Sequence, residues 1–136
     1  MSEIKVDTLT GKTSAGDITV TSEGGAATMQ LQQGLAKAWV NFNGTGTIAI
    51  RDSLSVSGLV DNGTGDYTVT ISNAFSAVNY AIFGTAGAGA THAAVVMSPY
   101  AISTQTTSAM RSRNFGSASA LQDQDLQSTS LMGDLA

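Results

Sequence analysis

The sequence predicts an all-β protein, and three observations support this class. Serine and threonine supply about a quarter of the 136 residues, with 16 Ser and 17 Thr. Threonine, valine and isoleucine are β-branched and suit a pleated, half-buried surface. The 15 glycines provide tight turns between short strands. Only 12% of the residues are charged while 42% are hydrophobic, unlike disordered chains, which combine low hydrophobicity with high net charge.

The first 33 residues predict a segment of short strands with few large apolar side chains. Polar and apolar residues alternate at residues 3–6, 17–22 and 28–32. Such a segment cannot bury enough surface to fold alone. It is either a flexible arm or, as we favour, a trimerising β-shaft that interleaves with other copies of itself. The apolar residues that would then surround the shared axis are Ile18, Val20, Met29 and Leu31.

Residues 34–136 predict a second domain, a β-sandwich-like tip of about eight strands. Turn sequences recur at a spacing of about ten residues, which is typical of sandwiches and small barrels. Sharp turns are expected at residues 43–46 and 61–65, and a bulge or corner at residues 51–53. A short helical turn is expected at residues 73–79. The expected strands are residues 37–42, 47–50, 54–59, 66–72, 80–84, 93–97, 106–115 and 126–132, with residues 80–84 pairing with residues 93–97.

Composition excludes several kinds of function. The chain has no cysteine, so it forms no disulfide and offers no thiolate to zinc or to catalysis. Its net charge of −4 argues against nucleic-acid binding, which needs cationic side chains. The chain contains no apolar stretch of about 20 residues, so we expect no transmembrane helix. Its N-terminus also lacks an apolar run of signal-peptide type. We therefore expect a protein made in a cytoplasm that reaches the outside by another route, such as lysis.

Two sequence blocks carry a family resemblance. Lys-Ala-Trp-Val-Asn-Phe occupies residues 37–42, and Asp-Asn-Gly-Thr-Gly-Asp-Tyr occupies residues 61–67. Together with residues 51–53, these blocks resemble the distal domain of bacteriophage tail-fibre proteins, including fibres of phages that infect cyanobacteria and other marine bacteria. Residues 4–9 resemble the thin shaft that precedes such a tip. The resemblance is strongest over residues 30–84.

The resemblance implies a homotrimer with an N-terminal anchor in the virion and a β-rich tip that touches the host surface. On this basis residues 1–33 are expected to attach to other virion proteins of the tail, collar or capsid. Residues 34–136 are expected to bind a host-surface glycan or protein. Complete tail fibres are usually much longer, so a capsid decoration or cement protein, or a head spike without a receptor, is the alternative. A monomeric bacterial carbohydrate-binding module is a third interpretation.

The sequence also predicts that the protein is not an enzyme and holds no cofactor. His92 is the single histidine, and we favour a loop residue over a metal ligand on a threefold axis. Asp61 and Asp66 flank oxygen-bearing residues, but the spacing is not that of an EF-hand, so a turn whose side chains bond their own backbone is favoured over calcium. The sequence contains no pair of carboxylates at a convincing spacing, so we do not expect glycoside hydrolysis.

Five residues are candidate ligand contacts. They are Tyr80, His92, Tyr100, Arg111 and Arg113, together with the loop at residues 85–92. Arg111 and Arg113 share one face of a strand, where they either contact an anionic glycan or form an interchain salt bridge, which we favour. The expected carboxylate partner of that salt bridge is Asp52 or Asp125.

Trp39 is the only tryptophan and permits two interpretations. Its ring would suit a platform on which a sugar stacks, or it would fill the hydrophobic core. Because Trp39 lies in an alternating strand with Phe42 nearby, the sequence favours the core.

Overall fold

A computed structural model confirms the all-β class. It describes residues 3–87, 96–99, 104–116 and 120–136, and of residues 96–99 the backbone alone. These residues include ten strands and a short 3-10 turn at Gln32–Gly34. The chain divides into two compact units, Met1–Leu35 and Ala36–Ala136. Nowhere in the described residues is there a helix with the length and apolar character of a membrane span.

The first unit contains a two-stranded antiparallel hairpin. Strand β1 (Thr19–Thr21) pairs with β2 (Thr28–Gln30), and the register places Val20 opposite Met29. Both side chains are exposed, Val20 by 43% and Met29 by 53%. The strand expected at residues 3–6 does not form, and none of the described residues of this unit is buried. The hairpin therefore has no hydrophobic core of its own.

The second unit is a sandwich of two four-stranded sheets in which all neighbouring strands are antiparallel. The strands of sheet 1, in order across it, are β4 (Ala49–Leu54), β3 (Ala38–Asn43), β10 (Leu126–Met132) and β7 (Ala81–Gly87). The strands of sheet 2 are β5 (Val56–Gly63), β6 (Asp66–Ile71), β9 (Ala109–Phe115) and β8 (Val96–Pro99). These eight strands match the number that the turn spacing predicts.

Two predicted features of the sandwich are wrong. Residues 80–84 and 93–97 were expected to pair, whereas β7 pairs with β10 in sheet 1 and β8 pairs with β9 in sheet 2. Successive strands of a sandwich often lie in opposite sheets, so neighbours along the chain need not be neighbours in a sheet. Residues 73–79 contain bends and a bridge from Phe75 to Leu135 in place of a helical turn.

The hairpin turn and the bulge form where the sequence predicts them. Between β5 and β6 the Gly63 N–H donates to Asp61 Oδ1 at 2.8 Å, so the Asp61 side chain bonds the backbone of the turn, as expected. Gly65 there has a φ of 63°, a conformation that favours glycine. The register between β3 and β4 shifts so that Arg51 has no residue opposite it, which is the expected bulge. The chain changes sheets at Ser55, where φ is 54°.

The hydrophobic core lies between the two sheets. Alternate residues of β3, β6 and β9 are buried, as the period of two along a strand requires. Phe42 and Tyr67 meet across the sheets edge to face, with ring centroids 5.2 Å apart. The buried hydrophobic residues are Ala38, Val40, Phe42, Tyr67, Val69, Ile71, Phe75, Tyr80, Met110 and Leu131.

Hydrogen bonds made by buried polar side chains also join the sheets. The Tyr67 hydroxyl lies 2.7 Å from the Gly44 carbonyl oxygen and 2.7 Å from Asp123 Oδ1. Burial, together with the hydrogen bond to Asp123, raises the pKa of Tyr67 well above its usual value. The Asn114 amide donates to Gln127 Oε1 at 2.7 Å, from sheet 2 to sheet 1. Because such bonds are directional, they fix the alignment of one sheet on the other.

Candidate ligand-binding site

The outer face of sheet 1 carries a groove between aromatic side chains. Strands β3, β10 and β7 lie side by side, and their register places Ser130 between Trp39 and Phe83. The groove has a volume of about 410 Å³, which falls in the range of roughly 300–1,000 Å³ found for small-molecule sites. The side chains that define the groove are Trp39, Asn41, Phe83, Thr85, Ser128 and Ser130.

Strand alternation explains why these aromatic residues face outward. Ala38, Val40 and Phe42 are buried, so Trp39 lies on the opposite face of β3, where it is half-buried. The prediction that Trp39 belongs to the core is therefore wrong. Phe83 is 57% exposed. Two strand spacings, about 9.6 Å, separate the backbones that carry the two rings, and this distance leaves room for a ring-shaped ligand.

Neutral polar groups lie beside the aromatic pair. In the row next to Ser130, the register sets Ser128 between Asn41 and Thr85. The Asn41 amide donates to Ser128 Oγ at 2.7 Å, which holds both side chains in place. None of the groove residues carries a charge. The groove therefore combines apolar ring faces with hydroxyl and amide groups.

Arg111 and Arg113 lie on the outer face of sheet 2, where both bind Asp66. Arg111 donates from Nε to Asp66 Oδ1 at 2.6 Å and from Nη2 to Oδ2 at 2.9 Å, and Arg113 Nε donates to Oδ2 at 2.8 Å. Asp66 is only 4% exposed. The hydrogen bond from Arg111, aided by Arg113 and opposed by burial, lowers the pKa of Asp66. The carboxylate that pairs with both arginines thus belongs to the same chain, in place of the expected Asp52 or Asp125.

Of the remaining predicted ligand contacts, Thr85 of the candidate loop lines the groove, whereas Tyr80 does not. Tyr80 is 7% exposed, and its hydroxyl lies 3.0 Å from the Thr106 carbonyl oxygen and 3.1 Å from that of Ala109. Burial raises the pKa of Tyr80 to about 12. Tyr80 is therefore a core residue and not the surface contact that the sequence predicts. His92 and Tyr100, with most of the loop that contains His92, lie outside the described residues.

The groove and the pair of arginines occupy the outer faces of different sheets. Across residues 3–87, 104–116 and 120–136, no group of three or more histidine or acidic side chains is placed to hold a metal ion. No family model, no curated protein and no solved structure matches this chain.

Proposed function

We propose that the chain is a homotrimeric virion fibre protein, either a short fibre or a tail-fibre tip. Residues 1–33 attach it to a phage particle, and the sandwich binds a host-surface glycan or protein. The observation that carries this proposal is the contrast between the two units. The sandwich has a complete core, whereas the first unit has no buried residue in its described part. A segment without a core becomes ordered when other chains cover it.

Exposed apolar side chains in the first unit support association with other copies. Ile4 is 84% exposed, and Leu9 is 62% exposed. Removing such surface from water contributes about 25 cal/mol per Å² to the free energy of folding. Three chains packed around a shared axis would therefore stabilise the first unit, which one chain alone does not. The exposed large apolar residues of this unit are Ile4, Val6, Leu9, Val20, Met29 and Leu35. The resemblance of residues 4–9 to a fibre shaft points the same way.

The chemistry of the sandwich supports contact with a host surface. Its groove is concave, uncharged and lined by aromatic and hydroxyl-bearing side chains. Such sites hold small ligands through apolar faces and a few fixed polar groups. The tip of an attachment fibre needs a site of this kind on a rigid scaffold, and the two hydrogen-bonded sheets provide one.

Adsorption of the phage particle tests the proposed function. Particles assembled with and without this chain are compared for adsorption to host cells and for stability of the head. We expect particles without the chain to adsorb poorly and to keep intact heads. Normal adsorption together with fragile heads would contradict the fibre proposal and favour a capsid decoration protein.

A further inference from the structure

We propose that the groove on the outer face of sheet 1 binds a neutral carbohydrate, a hexopyranose unit without an acidic group. This inference rests on the proposed function, in which the sandwich meets the host surface, and it names the class of glycan and the residues that contact it. The groove residues are Trp39, Asn41, Phe83, Thr85, Ser128 and Ser130.

The two aromatic side chains match the apolar side of a sugar ring. A pyranose presents C–H bonds on its faces and hydroxyl groups around its edge. The face of an aromatic ring is electron-rich, so it attracts the slightly positive hydrogens of those C–H bonds. Trp39 and Phe83 stand on either side of Ser130, with a backbone separation of about 9.6 Å. In the proposed complex a sugar ring lies between them with its C–H groups facing aromatic carbon.

The polar groups of the groove match the edge of the same ring. A hydroxyl of serine or threonine both donates and accepts a hydrogen bond, as a sugar hydroxyl does. Ser128 Oγ already accepts from the Asn41 amide at 2.7 Å, so the Ser128 proton can be donated to a ligand oxygen. Thr85 flanks Ser128 on the other side. The groove therefore offers the hydroxyl groups of a sugar hydrogen-bonding partners that are already held in place.

The uncharged lining of the groove favours a neutral sugar over an acidic one. The groove contains no cationic side chain that would pair with a carboxylate or sulfate. Asp52 lies opposite Asn41 on the neighbouring strand β4, and its charge repels an anion. Arg111 and Arg113 lie on the outer face of the other sheet and hold Asp66. An acidic group on the ligand would gain no ion pair in the groove.

The same chemistry argues against a second copy of the chain as the occupant. An apolar protein face placed over the groove would remove water from the Asn41 amide and from three hydroxyl groups without replacing its hydrogen bonds. Leaving a buried polar group without a partner costs about 1–3 kcal/mol. A sugar avoids this cost because it carries apolar and hydroxyl surfaces together.

Ligand titration of the full chain tests the inference. The probes are neutral oligosaccharides of glucose, galactose and mannose, and matched oligosaccharides that contain a uronic acid. Trp39 is the only tryptophan, so its fluorescence reports binding in the groove. Because Phe83 is largely exposed, Phe83→Ala removes one wall without opening the core. The matched control is Leu126→Ala, which removes a 52% exposed side chain from the same face outside the groove.

We expect at least one neutral oligosaccharide to change the emission of Trp39, and Phe83→Ala to weaken its binding about tenfold, the equivalent of about 1.4 kcal/mol. Leu126→Ala should bind as the unchanged protein does. No binding of any neutral probe, tighter binding of the uronic acid probes, or equal binding by Phe83→Ala would overturn the inference. Loss of the oligomer in both variants would also overturn it, since a second copy would then cover the face. Neutral sugar binding by a chain that is monomeric in solution would support the site and contradict the fibre.

Discussion

Asp66 and Arg111 form a bidentate ion pair on the outer face of sheet 2, with hydrogen bonds of 2.6 and 2.9 Å. Arg113 adds a third bond to the same carboxylate. Asp66→Asn removes the charge that both guanidinium groups face. We expect the free energy of unfolding to fall by about 2 kcal/mol, as for a hydrogen-bonded charge, in urea denaturation. Asp61→Asn is the control, because asparagine can keep the bond to Gly63, and an equal loss in both variants would contradict the account.

Acid should destabilise the protein through the same carboxylate. The pKa of Asp66 lies below its ordinary value of 3.8 in the folded chain, chiefly because of the hydrogen bond from Arg111. The stabilisation is therefore complete above pH 3.8 and is lost as the pH falls through the lower, folded pKa. Unfolding measured over a series of acidic pH values should show a shallower loss of stability in Asp66→Asn than in the unchanged chain. Parallel curves for the two proteins would refute this role of Asp66.

The Tyr67 hydroxyl should contribute to stability separately from its ring. Tyr67→Phe keeps the edge-to-face contact with Phe42 but removes the group that lies 2.7 Å from both the Gly44 carbonyl and Asp123. Asp123 would then retain the 2.6 Å bond from the Gly65 N–H, and the Gly44 carbonyl would lose the tyrosine donor. We expect a loss of about 1–2 kcal/mol in thermal or chemical unfolding. Unchanged stability would show that this hydroxyl does not join the sheets.

Alkaline titration should reveal the burial of Tyr80. Its pKa is raised from 10.0 to about 12 in the folded chain because burial disfavours the charged form. The stability that this difference contributes is present below pH 10 and is lost as the pH rises towards 12. Tyrosinate absorbance should show an ionisation step near pH 12 that disappears in Tyr80→Phe and moves towards pH 10 in denaturant. A native step near pH 10 for this residue would place its ring at the surface.

The sequence predicts strands well where alternation is strong and local. Strand β6 spans Asp66–Ile71, and the alternating pattern predicts residues 66–72. The outward position of Trp39 could also have been predicted from the alternation, because a residue out of phase with Ala38, Val40 and Phe42 lies on the other face of a strand. The prediction of a core position relied on the nearby Phe42, but residues three apart along a strand lie on opposite faces, so it was wrong.

The sequence could not predict the contacts between strands that lie far apart along the chain. Asp66 and Arg111 are 45 residues apart along the chain and meet only through the register of β6 against β9. The groove likewise needs β3, β10 and β7 to lie side by side in one sheet. Neither the neighbours of a strand nor its register follow from a local pattern of apolar residues, because several pairings bury the same side chains.

The mass of the full chain in solution tests the central claim most directly. In the proposed trimer, other copies cover the exposed apolar residues of the first unit, such as Ile4 and Leu9. Sedimentation equilibrium at micromolar concentration should therefore give three times the 13.8 kDa mass of one chain. A stable species of 13.8 kDa under the same conditions would contradict the trimeric fibre.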